Sequence, residues 1–252
     1  YRCLNNLLTE LQMRLLVKNI GTIVGICNAK VDRISGADMD IMHSIKDGWL
    51  TAENGVITDF GHISTCPNSE GFEVLDAQGG MLFPSYCDSH THIVYAGSRE
   101  LEFVDKINGL SYEEIAARGG GILNSADRLH NTSEEELYDQ AMERVKEVIA
   151  MGTGAIEIKS GYGLTTEDEL KMLRVIGRIA KETPLTVKAT FLGAHAVPRE
   201  YKGRQSEYVE LICDTMLPEV AKQGIAEFVD VFCDRGFFTV EQTEQIVTKG
   251  AE

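Results

Sequence analysis

The sequence predicts an α/β fold with parallel strands, preceded by a small β-rich module. Strand-length apolar segments separated by turn residues occupy roughly residues 15–79, and four alternating strand and helix patterns follow Gly79-Gly80. Such alternation is typical of parallel strands joined by helices. The residues after Gly80 are fewer than the about 250 of a closed eight-stranded α/β barrel. Their number fits an open doubly wound sheet, and the pattern alone does not choose between sheet and part of a barrel.

Composition and charge exclude several classes of protein. The 252 residues are 43% hydrophobic with five prolines, which excludes a disordered or collagen-like chain. The net charge of −15 argues against nucleic acid or an anionic membrane as partner. No segment approaches the ~18 consecutive apolar residues of a membrane helix, and no basic-then-apolar leader opens the chain, so a soluble cytoplasmic protein is expected. Six cysteines without a CxxC pair predict reduced thiols.

The first module is predicted to be entirely β. Residues 1–12 precede Met13 and are treated as added or upstream sequence, outside the fold prediction. Turn residues such as Glu53, Asn54 and Gly55 separate the apolar segments. The strand candidates are residues 15–20, 22–26, 48–52, 56–60 and 72–76.

The second part is predicted to repeat a strand followed by a helix. Its strand candidates are residues 81–88, 155–159, 186–192 and 228–232, with Pro84 tolerated only at a strand start or bulge. Capping boxes predict where three helices begin. They pair Ser133 with Glu136, Thr166 with Glu169, and Thr239 with Gln242.

Two histidines follow the first of these strands. His90 and His92, at a spacing of two, lie on one face of a strand, so both imidazoles can reach one ion. Imidazole suits zinc or iron, and two such ligands require one or two more from elsewhere. Two hydrogen-bonded polar residues at a strand end are an equally good interpretation. Asp88 shares their parity and either orients a histidine or is a plain strand-end carboxylate.

Other strand ends also carry side chains suited to chemistry. Arg99 could hold a substrate carboxylate bidentately, although a surface ion pair with Glu100 or Glu102 is the more ordinary interpretation. Tyr162 lies between two glycines, and His195 ends the third unit. Each alone is weak evidence, but three strand ends carrying such side chains together favour a site.

Three further features are judged structural or secondary. Lys159 is either an ion-pair partner of Glu157 or, less often, a carboxylated metal bridge. The segment 119–121 lacks a phosphate-binding context and is interpreted as an active-site loop. The remaining histidines are predicted to be surface residues: His43, His62 and His130.

These blocks together resemble the amidohydrolase superfamily, over essentially all of residues 13–252. The order of the blocks makes the resemblance more specific than a bare HxH motif. They are DSHTH (88–92), AGSRE (96–100), GGGIL (119–123), KSGYGL (159–164), ELKMLR (169–174), FLGAHAVP (191–198) and FVDVFC (228–233).

The resemblance implies a distorted (β/α)8 TIM barrel joined to a small β-sandwich domain. It assigns residues 13–79 to the sandwich and 80–252 to about the first four βα units of the barrel. It implies one zinc or iron ion held by His90 and His92, and a small substrate bound by Arg99, Tyr162 and His195. The implied activity is hydrolysis of a cyclic amide C–N bond. A homodimer is an open expectation.

The sequence departs from this family pattern in what it lacks. Family members carry a third metal-binding histidine, a catalytic glutamate and a metal-binding aspartate on later strands, and no such residues follow His195 in the family's order here. No catalytic residue is therefore assigned within the chain, which is expected to be the N-terminal portion of a longer protein. Two alternatives stay open: another cyclic-amide hydrolase or deaminase of the superfamily, and a noncatalytic half-barrel fragment.

Overall fold

The computed structural model describes residues 14–26, 33–98, 100–111, 114 and 121–252. The chain forms two compact units with a boundary between Pro84 and Ser85. The sequence placed this boundary earlier, at residues 79–80. The difference arises because Met81 and Leu82 form a short strand that pairs within the first unit.

The first unit contains a five-stranded mixed sheet. Its central strand runs through a bulge between Val17 and Ile20, with Asn19 in a left-handed conformation. The two strands predicted at 15–20 and 22–26 are therefore one. The strands are β1 (Arg14–Val24), β2 (Ser44–Glu53), β3 (Val56–His62), β4 (Glu73–Asp76) and β5 (Met81–Leu82).

A small apolar core holds this unit together. Val17, Ile20 and Ile23 of β1 pack with Leu50 of β2, and all four are buried. The order is β3-β2-β1-β4, with β5 also paired to β1. Because the described residues of the unit form one sheet, the predicted β-sandwich is not confirmed.

The second unit contains four parallel strands in the order in which they occur along the chain. A doubly wound sheet reverses its strand order at a switch point, whereas a barrel does not. The sequential order therefore favours part of a barrel, the alternative that pattern alone left open. The strands are β6 (Tyr86–Thr91), β7 (Thr153–Lys159), β8 (Thr186–Ala194) and β9 (Phe228–Val231).

Helices connect and follow these strands. The described helices are α1 (Glu100–Ile107), α2 (Ile122–His130), α3 (Glu134–Ala150), α4 (Thr166–Glu182), α5 (Gln205–Leu211), α6 (Leu217–Gln223) and α7 (Val240–Gly250). A π-helical turn at Ile212–Met216 joins α5 to α6.

The predicted first strand of this unit, residues 81–88, is wrong in its start. Residues 83–85 adopt no regular secondary structure, and β6 begins at Tyr86. Pro84 has no N–H to donate to a ladder, which explains why the strand pairing is interrupted there. The strands predicted at 155–159, 186–192 and 228–232 are present within one or two residues of their predicted bounds.

Alternation along β7 gives the parallel sheet two chemically different faces. Ile156 and Ile158 are buried in the hydrophobic core together with Val145 of α3 and Leu173 of α4. Residues Glu157 and Lys159 therefore point to the opposite face. The helices thus cover one face of the sheet, and polar groups occupy the other.

Two of the three predicted helix starts are confirmed and one is wrong. Ser133 caps α3 through the N–H of Glu136, and Thr239 forms a complete capping box with Gln242. For α4, however, the cap is Thr165, whose Oγ1 accepts from the N–H of Asp168. Glu169, the predicted box partner of Thr166, instead turns inward.

A polar network that we call the capping network fixes the start of α4. The carboxylate of Asp168 accepts from Thr165 Oγ1 at 2.9 Å, bonds to His130 Nδ1 at 2.8 Å and pairs with Lys171 at 2.8 Å. Lys171 Nζ also donates to the carbonyls of Leu129 and Thr132. These contacts tie the end of α2 to the first turn of α4.

Two further expectations concern exposure and membrane segments. His43, His62 and His130 are exposed, as predicted. The four described cysteines, Cys66, Cys87, Cys213 and Cys233, are free thiols, while Cys3 and Cys27 lie outside the described residues. Among the residues that the structure describes, no helix has the length and apolarity needed to cross a membrane.

Candidate active site

Four of the sequence-predicted site residues come together at the carboxyl ends of the parallel strands. His90 lies in β6 and His92 directly after it, Tyr162 follows β7, and His195 follows β8. We call these four residues the histidine cluster. The ring centroids of His90 and His92 are 5.8 Å apart, and those of His92 and His195 are 5.0 Å apart with nearly parallel planes.

The end of β6 has an irregular register that shapes the first half of the cluster. Pairing with β7 shifts between Asp88 and Thr91, and Thr91 Oγ1 donates to the Glu157 carbonyl at 2.6 Å. The side chain of Asp88 accepts from the backbone N–H of His90 at 3.3 Å. Asp88 thus stabilises the backbone of the HxH segment.

His92 is the most perturbed group of the cluster. Burial, followed by the neighbouring His195, His90 and Lys159, lowers the pKa of His92 from 6.5 to about 4. Its imidazole is therefore neutral at physiological pH. Its Nδ1 atom is buried and has no hydrogen-bond partner among the described residues. A neutral, half-buried imidazole with a buried and unsatisfied nitrogen is suited to bind a metal ion.

Tyr162 and His195 complete the cluster from the next two strand ends. The Tyr162 ring centroid is 5.4 Å from that of His92 and 5.3 Å from that of His195. Phe232, just after β9, places its ring centroid 5.8 Å from that of His195 on another side. All four strands of the sheet therefore contribute to one group of rings.

The orientation of His195 depends on the loop after β7. Its Nδ1 lies 2.9 Å from the carbonyl oxygen of Gly161, which can only accept, so Nδ1 donates. In the neutral ring Nε2 then carries no hydrogen. Gly161 has φ of +108°, and a Cβ there would lie 3.0 Å from His195 Nδ1. This position therefore favours glycine.

Beside the cluster lies a charged group formed by Glu157, Lys159 and Asp230. Lys159 Nζ donates to Glu157 at 2.8 Å and to Asp230 at 2.9 Å. Although burial opposes it, these carboxylates raise the pKa of Lys159 above its usual value. Burial raises the pKa of Asp230, but the hydrogen bond from Lys159 outweighs burial. The pKa of Asp230 therefore lies below its usual value. Lys159 is thus a protonated ion-pair partner, the more ordinary of its two predicted roles.

Some predicted residues lie outside the described part of the chain, and some important ones were not predicted. Arg99 and residues 119–120 belong to the first group. Asp230, Phe232 and the inward role of Glu169 belong to the second. An aspartate inside the apolar segment FVDVF was a signal that could have identified Asp230.

The described side chains include two candidate metal ligands at the end of β6. Within the described residues, no group of three or more His, Cys, Asp or Glu side chains is placed to hold a metal ion. His90 and His92 supply two imidazoles, and the unsatisfied Nδ1 of His92 fits a group whose remaining ligands come from elsewhere.

Solved structures share the architecture of this chain. Guanine deaminase of E. coli aligns with a TM-score of 0.54 and 14% identity, over 92% of this chain and 49% of that chain. Atrazine chlorohydrolase TrzN from Arthrobacter aurescens, complexed with zinc, aligns with a TM-score of 0.55 and 10% identity, over 94% and 50%. The chain therefore has the fold of amidohydrolase-superfamily TIM-barrel enzymes and contains a partial barrel.

Sequence comparison finds much more similar proteins within this class of enzymes. The chain is 51% identical over 240 residues to the imidazolonepropionase of Christiangramia forsetii, covering 95% of this chain and 58% of the relative. It is 51% identical over 237 residues to that of Flavobacterium johnsoniae, covering 94% and 58%. No family model matches the chain. The chain is homologous to imidazolonepropionases and spans about 58% of the length of the curated relatives it matches.

Proposed function

We propose that the protein carrying this sequence is an imidazolonepropionase. It hydrolyses the ring amide C–N bond of 4-imidazolone-5-propanoate to N-formimidoyl-L-glutamate, a step of histidine degradation. The observation that carries the proposal is the convergence of His90, His92, Tyr162 and His195 at adjacent strand ends. The supporting comparison is the 51% identity to curated imidazolonepropionases.

His90 and His92 would hold one metal ion, zinc or iron. The low pKa of His92, about 4, keeps this imidazole available as a ligand at neutral pH. The zinc complex of a structural neighbour supports the proposal at the level of the fold. When bound, such an ion lowers the pKa of a water molecule and so supplies a nucleophile near neutral pH.

The other residues of the cluster would bind and orient the substrate. Tyr162 and His195 lie against the same imidazole, His92, so a ring placed beside them would be held between groups that can donate or accept hydrogen bonds. Donors positioned where negative charge develops stabilise the transition state of amide hydrolysis. Arg99 would bind the propionate carboxylate in a bidentate pair.

Three broader features also stay proposals. The first unit, residues 13–79 in the sequence assignment, would be part of a β-sandwich, and the second would be the first half of the barrel. The protein would act in the cytoplasm. A homodimer is proposed on the family resemblance alone.

Product analysis tests the function directly. The purified full-length protein carrying this sequence is incubated with 4-imidazolone-5-propanoate, and the products are identified by mass spectrometry. We expect N-formimidoyl-L-glutamate, which is the substrate plus one water. Guanine serves as the control substrate, because a structural neighbour is a guanine deaminase. Deamination of guanine without turnover of the imidazolone would contradict the proposal.

A further inference from the structure

The loop after β7, residues 160–164, carries Tyr162 and the carbonyl that bonds to His195, and it encloses a buried carboxylate. Glu169, in the first turn of α4, is completely buried. Its Oε2 accepts from the N–H of Gly161 at 2.9 Å, and its Oε1 accepts from the N–H groups of Gly163 and Leu164 at 2.8 and 2.9 Å. A hydrogen bond with the side chain of Ser160 adds a fourth contact. One carboxylate therefore contacts four of the five residues of the loop.

We propose that Glu169 is the positioning residue of the active site, acting on Tyr162 and His195 through the backbone of this loop. This inference rests on the proposed function of the cluster. Glu169 bonds to the N–H groups of both glycines that flank Tyr162. The carbonyl oxygen of the same Gly161 accepts a hydrogen bond from the Nδ1–H of His195. A single side chain thus constrains the two ring-bearing residues at once.

The backbone of the loop shows why it needs such a partner. Leu164, a residue with a Cβ, has φ of +57°, which L-residues rarely adopt without surrounding constraints. A Cβ on Gly163 would lie 2.5 Å from the backbone nitrogen of Glu169, so the loop packs directly on the start of the helix. Tyr208 adds a second constraint, since its single hydroxyl proton is shared between the carbonyl of Gly193 at 2.8 Å and that of Leu164 at 3.2 Å.

The two carboxyl oxygens of Glu169 lie among hydrogen-bond donors inside the protein. Burial raises the pKa of the Glu169 carboxyl above its usual value, although the hydrogen bonds from Ser160, Leu164, Gly163 and Gly161 oppose the rise. Three backbone N–H groups and the Ser160 hydroxyl can all donate, so the two carboxylate oxygens together accept four hydrogen bonds. A buried group with all of its capacity used defines one loop conformation.

Glu169→Gln separates positioning from bulk, because the amide has the same shape but only one acceptor oxygen. The oxygen is expected to face the N–H groups of Gly163 and Leu164, because it then keeps two backbone hydrogen bonds, while the amide nitrogen faces the N–H of Gly161. The contact to Gly161 is then lost. Asp168→Asn is the matched control, because this neighbouring buried carboxylate bonds to Thr165, Lys171 and His130 and not to the loop.

The experiment compares both variants with the parent in the full-length protein. We expect Glu169→Gln to lower kcat for 4-imidazolone-5-propanoate by on the order of 100-fold, more than it changes KM, because misplaced groups lose most of their effect in the transition state. We expect Asp168→Asn to leave kcat per folded molecule unchanged.

A second readout is independent of turnover. The ¹⁵N shifts of His195, assigned by their loss in His195→Gln, report which ring nitrogen carries the proton. We expect the Nδ1–H tautomer in the parent and in Asp168→Asn, and a mixture of tautomers in Glu169→Gln. A carboxylate that only stabilised the fold would lower the melting temperature without changing this ratio.

The possible results separate the two proposals. If no variant or parent turns over the imidazolone, the proposed function fails, while the His195 tautomer still decides the positioning role. Parental kcat and an unchanged tautomer in Glu169→Gln would overturn the positioning role. If Glu169→Gln does not fold, amide exchange in the parent decides: slow exchange at Gly161, Gly163 and Leu164 supports the role, and fast exchange contradicts it.

Discussion

The histidine cluster and the capping network use the same kinds of side chain but differ in how fully their polar atoms are hydrogen-bonded. In the capping network, Asp168 has three side-chain partners, and Lys171 bonds to two carbonyls besides. In the histidine cluster, His92 has a buried Nδ1 without a partner in the described part of the chain.

This difference separates groups that stabilise the fold from groups that are available to bind a ligand. A buried polar group with all its bonds made holds the fold in place, whereas leaving one unsatisfied costs stability. The nitrogen of His92 is retained at such a cost because, in our proposal, a metal ion or substrate completes its bonding. The four predictions below test this distinction, from the largest expected effect to the smallest.

Replacing both histidines at the end of β6 tests whether the histidine cluster binds metal and supports turnover. His90→Ala with His92→Ala should abolish bound metal and lower kcat/KM on the order of 1000-fold, because metal stabilisation of the transition state amounts to several kcal/mol. Elemental analysis and turnover of the full-length protein measure both effects. His130→Ala, a histidine of the capping network, is the control and should keep its metal. Parental activity in the double variant would contradict the metal role.

Arg99 tests whether the substrate carries a carboxylate that the site binds. Arg99→Ala should raise KM for 4-imidazolone-5-propanoate by about tenfold to a hundredfold, the equivalent of about one charge-assisted hydrogen bond. Arg174→Ala removes an exposed arginine that pairs with Glu134 and Glu167 on the helical face, and should leave KM unchanged. An unchanged KM in Arg99→Ala would favour a deaminase acting on a neutral base.

A substitution at Asp168 tests whether the capping network stabilises the fold. Asp168→Asn should lower the free energy of unfolding at pH 7 by about 2–3 kcal/mol, because the buried ammonium of Lys171 loses its charged partner. Although burial opposes it, the hydrogen bonds of Lys171, His130 and Thr165 lower the pKa of Asp168 below 3.8. The contribution is therefore complete above the unfolded-state value and is lost as pH falls through the lower folded-state value.

Denaturant titration of parent and Asp168→Asn from pH 7 to pH 3 measures that prediction. The difference between the two proteins should stay constant down to about pH 5 and shrink below about pH 4. A difference that grew as the pH fell would mean that the carboxylate is not stabilised in its charged form.

His130 provides the smallest effect. Its side chain is 68% exposed although it bonds to Asp168. His130→Ala should cost less than about 1 kcal/mol, because a hydrogen bond from a largely exposed side chain contributes little. Chemical denaturation at neutral pH measures the change. A loss as large as that of Asp168→Asn would show that the two residues act as one unit.

The sequence predicted most of the fold and the grouping of four candidate site residues. Parity and position at strand ends were enough to place His90, His92, Tyr162 and His195 near one another, because parallel strands end at the same edge. Alternation of strands and helices predicted the parallel sheet. It could not distinguish barrel from doubly wound sheet, since that depends on the spatial order of the strands.

The sequence prediction failed where a local signal had two structural solutions. Thr165 and Thr166 both precede an acidic residue at the spacing of a capping box, and a shift of one residue turned Glu169 from the helix cap toward the loop. The sequence pattern predicted that Met81 and Leu82 begin a barrel strand, but Pro84 separates them from β6. Tertiary packing decides both cases, and the local sequence pattern carries no information about that packing.

One paired measurement tests the central distinction most directly. kcat/KM for 4-imidazolone-5-propanoate and the melting temperature are determined for the parent, His92→Ala and Asp168→Asn of the full-length protein. We predict that His92→Ala loses turnover with little change in melting temperature, and that Asp168→Asn melts several degrees lower, about 2–4 °C for each kcal/mol, with parental turnover per folded molecule. Parental turnover in His92→Ala, or loss of turnover in folded Asp168→Asn, would contradict the assignment of chemistry to one cluster and structure to the other.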